Sequence, residues 1–210
     1  MKIIKPSYEI MTPIDRDAIL KQIELAGRVC YKSENNITSE SAPKFVKMMI
    51  DNGHEAMIEH GSLTVKFVCC RGISHEIVRH RVGMSYAQES TRYVLYTKEK
   101  HGGQITVIKP FFYEEGTTNY DLWRNSCQVA EETYMKLVNN GSTAQEARCV
   151  LPTSLKTEIV VTGTFRAWRH FFKLRVPKTA HPQMRELTIP LLKELQEKLP
   201  ELFCDLMVDV

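Results

Sequence analysis

Apolar residues recur along the chain with two periods, and the switches between them mark out the elements. Residues 3–11 alternate well enough for a first strand, while residues 15–31 place Ile19, Leu20, Ile23, Ala26 and Cys30 at helical spacing. Helical periodicity returns over residues 42–50 and ends at the stop signal Asn52-Gly53. Ser62–Cys70 gives the clearest strand, with Leu63, Val65, Phe67 and Cys69 alternating with Ser62, Thr64 and Lys66. Ser74 is then expected to cap a short helix over residues 75–80. Residues 104–110 read as a strand and residues 118–138 as a long helix closed by Asn140-Gly141. Ser142 and Gln145 have the spacing of a capping box for the helix that carries Arg148, which must stop near Pro152. Residues 156–162 are rich in β-branched side chains, as a strand would be. Residues 164–176 put Phe165, Trp168 and Phe172 on one helical stripe, and residues 183–199 make a final amphipathic helix. The regular strand–helix alternation of a doubly wound sheet is absent, so the pattern predicts an α+β layer fold. No internal repeat and no Gly-, Pro- or Ser-rich linker interrupts it, which favours a single domain over residues 1–210.

Composition places the chain among ordinary soluble globular proteins, at 43% hydrophobic and 25% charged residues. No apolar run approaches the roughly 20 residues that span a bilayer. The amino-terminal stretch is interrupted by Lys5 and Pro6 and lacks a signal-peptide apolar region, so the cytoplasm is the expected location. Six cysteines, without a CxxC pair or dense spacing, read as buried thiols, and no structural metal is expected. The net charge of +3 argues against a bulk polycation that binds nucleic acid or membrane surfaces. That total conceals asymmetry. Residues 143–185 carry eight Lys and Arg against two acids, and residues 186–210 carry two against six.

Two cationic segments are candidates for chemistry. Arg79-His80-Arg81 is followed by Gln88-Glu89-Ser90-Thr91-Arg92, a supply of forked donors and hydroxyls suited to phosphate or carboxylate oxygens. The alternative is a solvated surface run with a few weak ion pairs. His75-Glu76 with His80 suggests a zinc-protease motif, but five residues turn a helix by about 140° beyond a full turn, so the two imidazoles diverge. In the second segment Arg166 and His170 lie four apart and share a face, while Phe165, Trp168 and Phe172 face inward. Either ligand binding or a surface helix paired with acidic neighbours would account for it, although the segment supplies almost no acids of its own. His54 and His60 could form a proton relay or be structural, and Cys149 beside Arg148 is more simply a core thiol than a nucleophile. Neither a Rossmann glycine fingerprint nor a Walker phosphate loop is present.

Arg79-His80-Arg81 leading to Ser90-Thr91-Arg92-Tyr93, the run Ala147-Arg148-Cys149-Val150-Leu151-Pro152, the segment from Arg166 to Arg175, and Gly53-His54 through Glu59-His60 together resemble the flavin-dependent thymidylate synthases. The resemblance implies methylation of dUMP to dTMP, with methylenetetrahydrofolate as carbon donor and NADPH-reduced FAD as hydride donor, and without a cysteine nucleophile. It implies a twisted, mainly antiparallel sheet flanked by helices, assembled as a homotetramer whose sites use residues of several subunits. Residue by residue, it assigns His54, Ala56, Arg79, His80, Arg81, Gln88, Thr164, Phe165, Arg166 and His170 to FAD. It assigns Glu76, Arg79, Gln88, Glu89, Ser90, Thr91, Arg92, Arg148 and Arg175 to dUMP, with Arg175 the catalytic arginine that ionises N3 of the uracil. Eight residues separate Arg81 from Ser90 where the family signature has seven, so a bulge is expected near Met84. Thr164 and His170 stand where members often have asparagine. A noncatalytic nucleotide- or RNA-binding protein, or an inactive family member, are the competing readings.

Overall fold

The computed structural model describes residues 1–207, so residues 208–210 of the expected domain lie outside the described residues. Six strands and eight α-helices follow one another as β1 (Lys2–Ile4), β2 (Ser7–Ile10), α1 (Arg16–Tyr31), α2 (Ser41–Asp51), β3 (Ser62–Cys70), α3 (Arg71–Ile77), β4 (Met84–Gln88), β5 (Thr106–Ile108), α4 (Thr118–Asn139), α5 (Ala144–Ala147), β6 (Lys156–Thr164), α6 (Phe165–Arg175), α7 (Pro182–Lys198) and α8 (Pro200–Phe203). The α+β class is as expected. Two sheets form: β1 pairs with β5 in parallel, Ile3 opposite Val107, and a four-stranded sheet has the order β2-β3-β6-β4.

The chain divides into two compact units of three stretches each. The first comprises residues 1–7, 67–79 and 87–160. Its core gathers Tyr96, Ile105, Val107, Cys127, Tyr134, Ala147 and Leu155, with α4 as the long wall. The second comprises residues 8–66, 80–86 and 161–210. There α6 supplies Phe165, Trp168, Phe171 and Phe172, all fully buried, and Phe203 packs edge-on against Phe165 and Phe172. The Trp168 indole N–H donates to the Leu63 carbonyl at 2.9 Å, so the largest ring in the core leaves no buried donor unmet.

Several boundaries differ from the sequence pattern for identifiable reasons. The first strand is broken between β1 and β2 at Lys5-Pro6, where proline has no N–H for a ladder. Helix α3 starts at Arg71 rather than near Ser74, whose hydroxyl lies inside the helix and donates back to the Arg71 carbonyl at 2.9 Å. The capping box sits one residue later than expected, on Thr143 and Glu146, with the Glu146 carboxylate accepting from the Thr143 N–H at 2.8 Å. Of the six cysteines, Cys69, Cys70 and Cys127 are buried, but Cys30, Cys149 and Cys204 are exposed. Their helical or turn spacing gave no sign of which face they occupy.

Candidate active site

In the first unit, the chain leaving β4 is fixed before it reaches its polar loop. The Gln88 amide donates to Ser74 Oγ at 2.8 Å and to Thr157 Oγ1 at 3.1 Å, two hydroxyls that are fully buried. Glu89 is held at backbone and side chain together. Its N–H donates to the Glu158 carbonyl at 2.9 Å, its own carbonyl accepts from Arg71, and its carboxylate accepts from the Tyr96 hydroxyl and the Lys156 ammonium, both at 3.0 Å. Burial pushes the Tyr96 phenol up and Glu89 adds to the rise, so Tyr96 acts only as a donor here. Burial favours loss of the Lys156 proton, but Glu158 and Glu89 outweigh it and hold the amine charged. Beyond this anchor, Ser90 Oγ accepts the Arg92 N–H at 3.3 Å and Arg148 donates to Thr91 Oγ1 at 3.3 Å. Arg79, Arg92 and Arg148 are exposed, with the Arg92 guanidinium 5.6 Å from the centre of the Tyr93 ring. Rigid anchors followed by exposed guanidinium groups and hydroxyls suit a phosphorylated ligand.

In the second unit, β6 runs directly into α6, and Thr164 at the junction accepts the Ala167 N–H on its hydroxyl at 3.2 Å. The Phe165 and Thr164 amides are taken by the carbonyls of Gly61 and Gly83, at 3.0 and 3.1 Å. Beside this helix start lies a cavity of about 470 Å³, within the range of small-molecule sites. Val82, Gly83, Thr164, Arg166, His170 and Lys173 line it together with Glu55 and Glu59. Gly83 has φ of 71°, and a Cβ there would come within 3.2 Å of Thr164 Oγ1. The strand from Met84 alternates in burial, and immediately before it the chain turns at Gly83 in the left-handed region. Val82 is 91% exposed.

His80 is 8% exposed, its ring edge-on to Phe171 at 4.9 Å and to His170 at 5.9 Å. The Arg175 Nε–H donates to His80 Nε2 at 2.9 Å, which makes that nitrogen the acceptor. Three candidates are thus brought together, and Thr164, Arg166 and His170 share the cavity wall. Phe165 is fully buried, so its side chain belongs to the core. His54 and Ala56 flank Glu55 and are exposed, and His54 Nδ1 lies 3.5 Å from the Tyr31 hydroxyl. Arg81 is also exposed, and Glu76 lies one residue before the end of α3.

Sequence reasoning missed Arg169. It is 1% exposed, and its guanidinium reaches Glu55 at 3.0 and 3.1 Å, both carboxylate oxygens of Asp205 at 2.6 Å, and the Leu202 carbonyl. Lys173 adds a third contact to Glu55 at 3.2 Å. Burial pushes the Glu55 and Asp205 carboxyls up, but Arg169 outweighs it and holds both below the ordinary carboxylate range, with Lys173 also drawing Glu55 down. The available signal was the shortage of local acids in the second cationic segment, because its counter-charges come from Glu55, Glu59 and Asp205. Among the described residues no cluster of three or more His, Cys, Asp or Glu side chains is placed to hold a metal ion, and no helix is long and apolar enough to cross a membrane.

Comparison with known proteins gives a consistent result. Residues 14–201 match the Thy1 family, described as thymidylate synthase complementing protein. The chain is 31% identical over 214 residues to the flavin-dependent thymidylate synthase of Mycolicibacterium vanbaalenii, covering 93% of this chain and 83% of that one. It is 34% identical over 204 residues to the Corynebacterium aurimucosum protein of the same description, covering 87% and 78%. Among solved structures it is similar to PolB, a UMP/dUMP methylase from Streptomyces cacaoi bound with 5-Br dUMP, with a TM-score of 0.77, 21% identity, and coverage of 97% of this chain and 95% of that one.

Proposed function

This chain belongs to the flavin-dependent thymidylate synthases, and from that premise we propose how its own residues divide the conversion of dUMP to dTMP. The observation that carries the proposal is that Thr164, Arg166 and His170, matched to flavin positions one by one, line a single cavity beside the Arg175–His80 hydrogen bond.

FAD is the flavin the cavity suits. Its phosphates need a cation, and Arg166 and Lys173 supply two. The Thr164, Phe165 and Ala167 amides are taken by Gly83, Gly61 and the Thr164 hydroxyl, so the cationic side chains are the proposed anion holders. Thr164, His170, His80, Arg79, Arg81, Gln88, His54 and the backbone at Ala56 and Phe165 complete the proposed flavin contacts. When bound, the flavin supplies the hydride that completes the methyl group; NADPH is the proposed reductant and methylenetetrahydrofolate the proposed carbon donor.

The nucleotide phosphate and sugar are assigned to Ser90, Thr91, Arg92, Arg148 and Arg79, with Glu76, Gln88 and Glu89 setting the loop. Arg175 faces the uracil. A fixed guanidinium stabilises negative charge at N3, which raises electron density at C5 so that carbon can attack the methylene group; C5 then loses its proton as the carbon–nitrogen bonds tying the methylene to the folate break and tetrahydrofolate leaves with the electron pair. No thiol is needed for this step. The buried thiols are poorly suited to it as well, since burial, with Cys70 adding, pushes Cys69 up to about 12. The chain acts as one 1–210 domain in a cytoplasmic homotetramer, with neither nucleic acid nor membrane as partner.

Flavin binding tests the cofactor assignment. Protein purified from a flavin-sufficient host is expected to be yellow, and addition of dUMP is expected to shift the flavin absorption bands. A colourless protein that binds no added FAD would overturn it.

A further inference from the structure

Two carboxylates, Glu55 and Glu59, line the cavity, and they are employed differently. Glu55 is shared by buried Arg169 and by Lys173, and belongs to the frame. Glu59 pairs with Arg166 at 2.6 Å, and the two side chains are 48% and 51% exposed. Arg166 is the cation that the flavin assignment gives to a phosphate. A phosphate arriving there meets a negative side chain already in place, and must displace it or bear its repulsion.

We propose that Glu59 is a specificity-determining residue: an internal carboxylate that occupies Arg166 until a phosphate-bearing flavin displaces it, so that it tunes affinity for the phosphorylated end of the flavin and leaves ring binding untouched. The inference rests on the assignment of Arg166 to flavin phosphate. Half-exposed ion pairs are weak, so Glu59 can be displaced at little cost. A phosphate can engage the guanidinium fork at two points where Glu59 uses one nitrogen, Nη1, and this favours exchange. The competition has a sign opposite to the usual loss on removing a site residue. Replacing Glu59 with glutamine keeps its size and removes the charge, so binding of phosphorylated flavins should tighten.

The test is titration of the flavin-stripped, full-length chain with FAD, FMN and riboflavin, followed by flavin fluorescence, for wild type, Glu59→Gln and Arg166→Gln. Thermal melts establish that each variant is folded. Glu59→Gln is expected to lower Kd for FAD and FMN by about 3- to 10-fold, the size of losing one weak ion pair together with one like-charge repulsion. Riboflavin, which has no phosphate, should bind the variant and wild type alike. Arg166→Gln should weaken FAD and FMN but not riboflavin. If Glu59→Gln leaves FAD affinity unchanged or weaker while Arg166→Gln weakens it, the inference fails and the Arg166 assignment stands. Equal tightening of riboflavin would also overturn it, by showing that charge competition with phosphate is not the cause. If Arg166→Gln leaves FAD affinity intact, the underlying assignment is itself wrong.

Discussion

Arg175 combines a delocalised charge with a fixed direction. Its Nε is spent on His80, whose ring is in turn wedged against Phe171 and His170. A guanidinium held at one edge loses less freedom on meeting a ligand, so under the proposed role its geometry matters as much as its charge. Arg175→Ala is expected to lower kcat by about 10²- to 10³-fold, the range for removing one donor aimed at developing negative charge. Flavin absorbance should be largely retained, and near-normal turnover would show that N3 is stabilised elsewhere. Arg175 and the residues around it were legible as a motif because their spacing is local. Arg169 was not. Nothing in the spacing 166–169–170 distinguishes a buried arginine from exposed neighbours, since its partners Glu55 and Asp205 lie 114 and 36 positions away.

At the scale of elements, α6 is the piece on which the cavity depends. It starts where the sequence pattern put it, because Thr164 caps it and its aromatic stripe has one side to bury. Thr164→Ala is expected to destabilise the protein by about 1 kcal/mol through the lost cap. Gly61→Ala should cost about 1–3 kcal/mol, because the added Cβ would come within 2.5 Å of the buried Phe165 ring. Urea denaturation measures both. A Gly61→Ala protein as stable as wild type would mean that the ring yields without strain. Strands β3 and β6 and helices α1, α2 and α4 were equally legible, each being long and periodic. The sequence erred on short elements instead. In helix α3 the Ser74 hydroxyl bonds back to the Arg71 carbonyl instead of capping, and before α5 the local Thr143–Glu146 pair takes the cap in place of Ser142 and Gln145.

For the molecule as a whole, the cationic segment over residues 143–185 is less bare than its sequence suggests. Lys156, Arg166, Arg169 and Lys173 each pair with acids, most of them from other segments. The Arg169 cluster also sets acid tolerance. Glu55 and Asp205 have folded-state pKa values below their unfolded ones, so their contribution is present above the unfolded carboxylate range and is lost as pH falls through the depressed folded values. Stability of wild type should therefore decline more steeply below about pH 4 than that of Arg169→Met, whose carboxylates lack the cation. Parallel melts from pH 7 to 3 check this. An identical pH dependence in both proteins would show that the cluster contributes packing but no linked protons.

The central claim is that this chain methylates dUMP at C5 through a flavin and without a thiol nucleophile. Release of tritium from dUMP labelled at C5, measured with FAD, NADPH and methylenetetrahydrofolate and then with each omitted, tests it most directly. The expected result is tritium release with dTMP formation in the complete mixture, loss of dTMP on omission of NADPH or methylenetetrahydrofolate or on stripping the flavin, and undiminished turnover when the exposed cysteines Cys30, Cys149 and Cys204 are replaced by serine. Absence of both tritium release and dTMP from the flavin-loaded protein, or their abolition by those serine replacements in a folded chain, would contradict it.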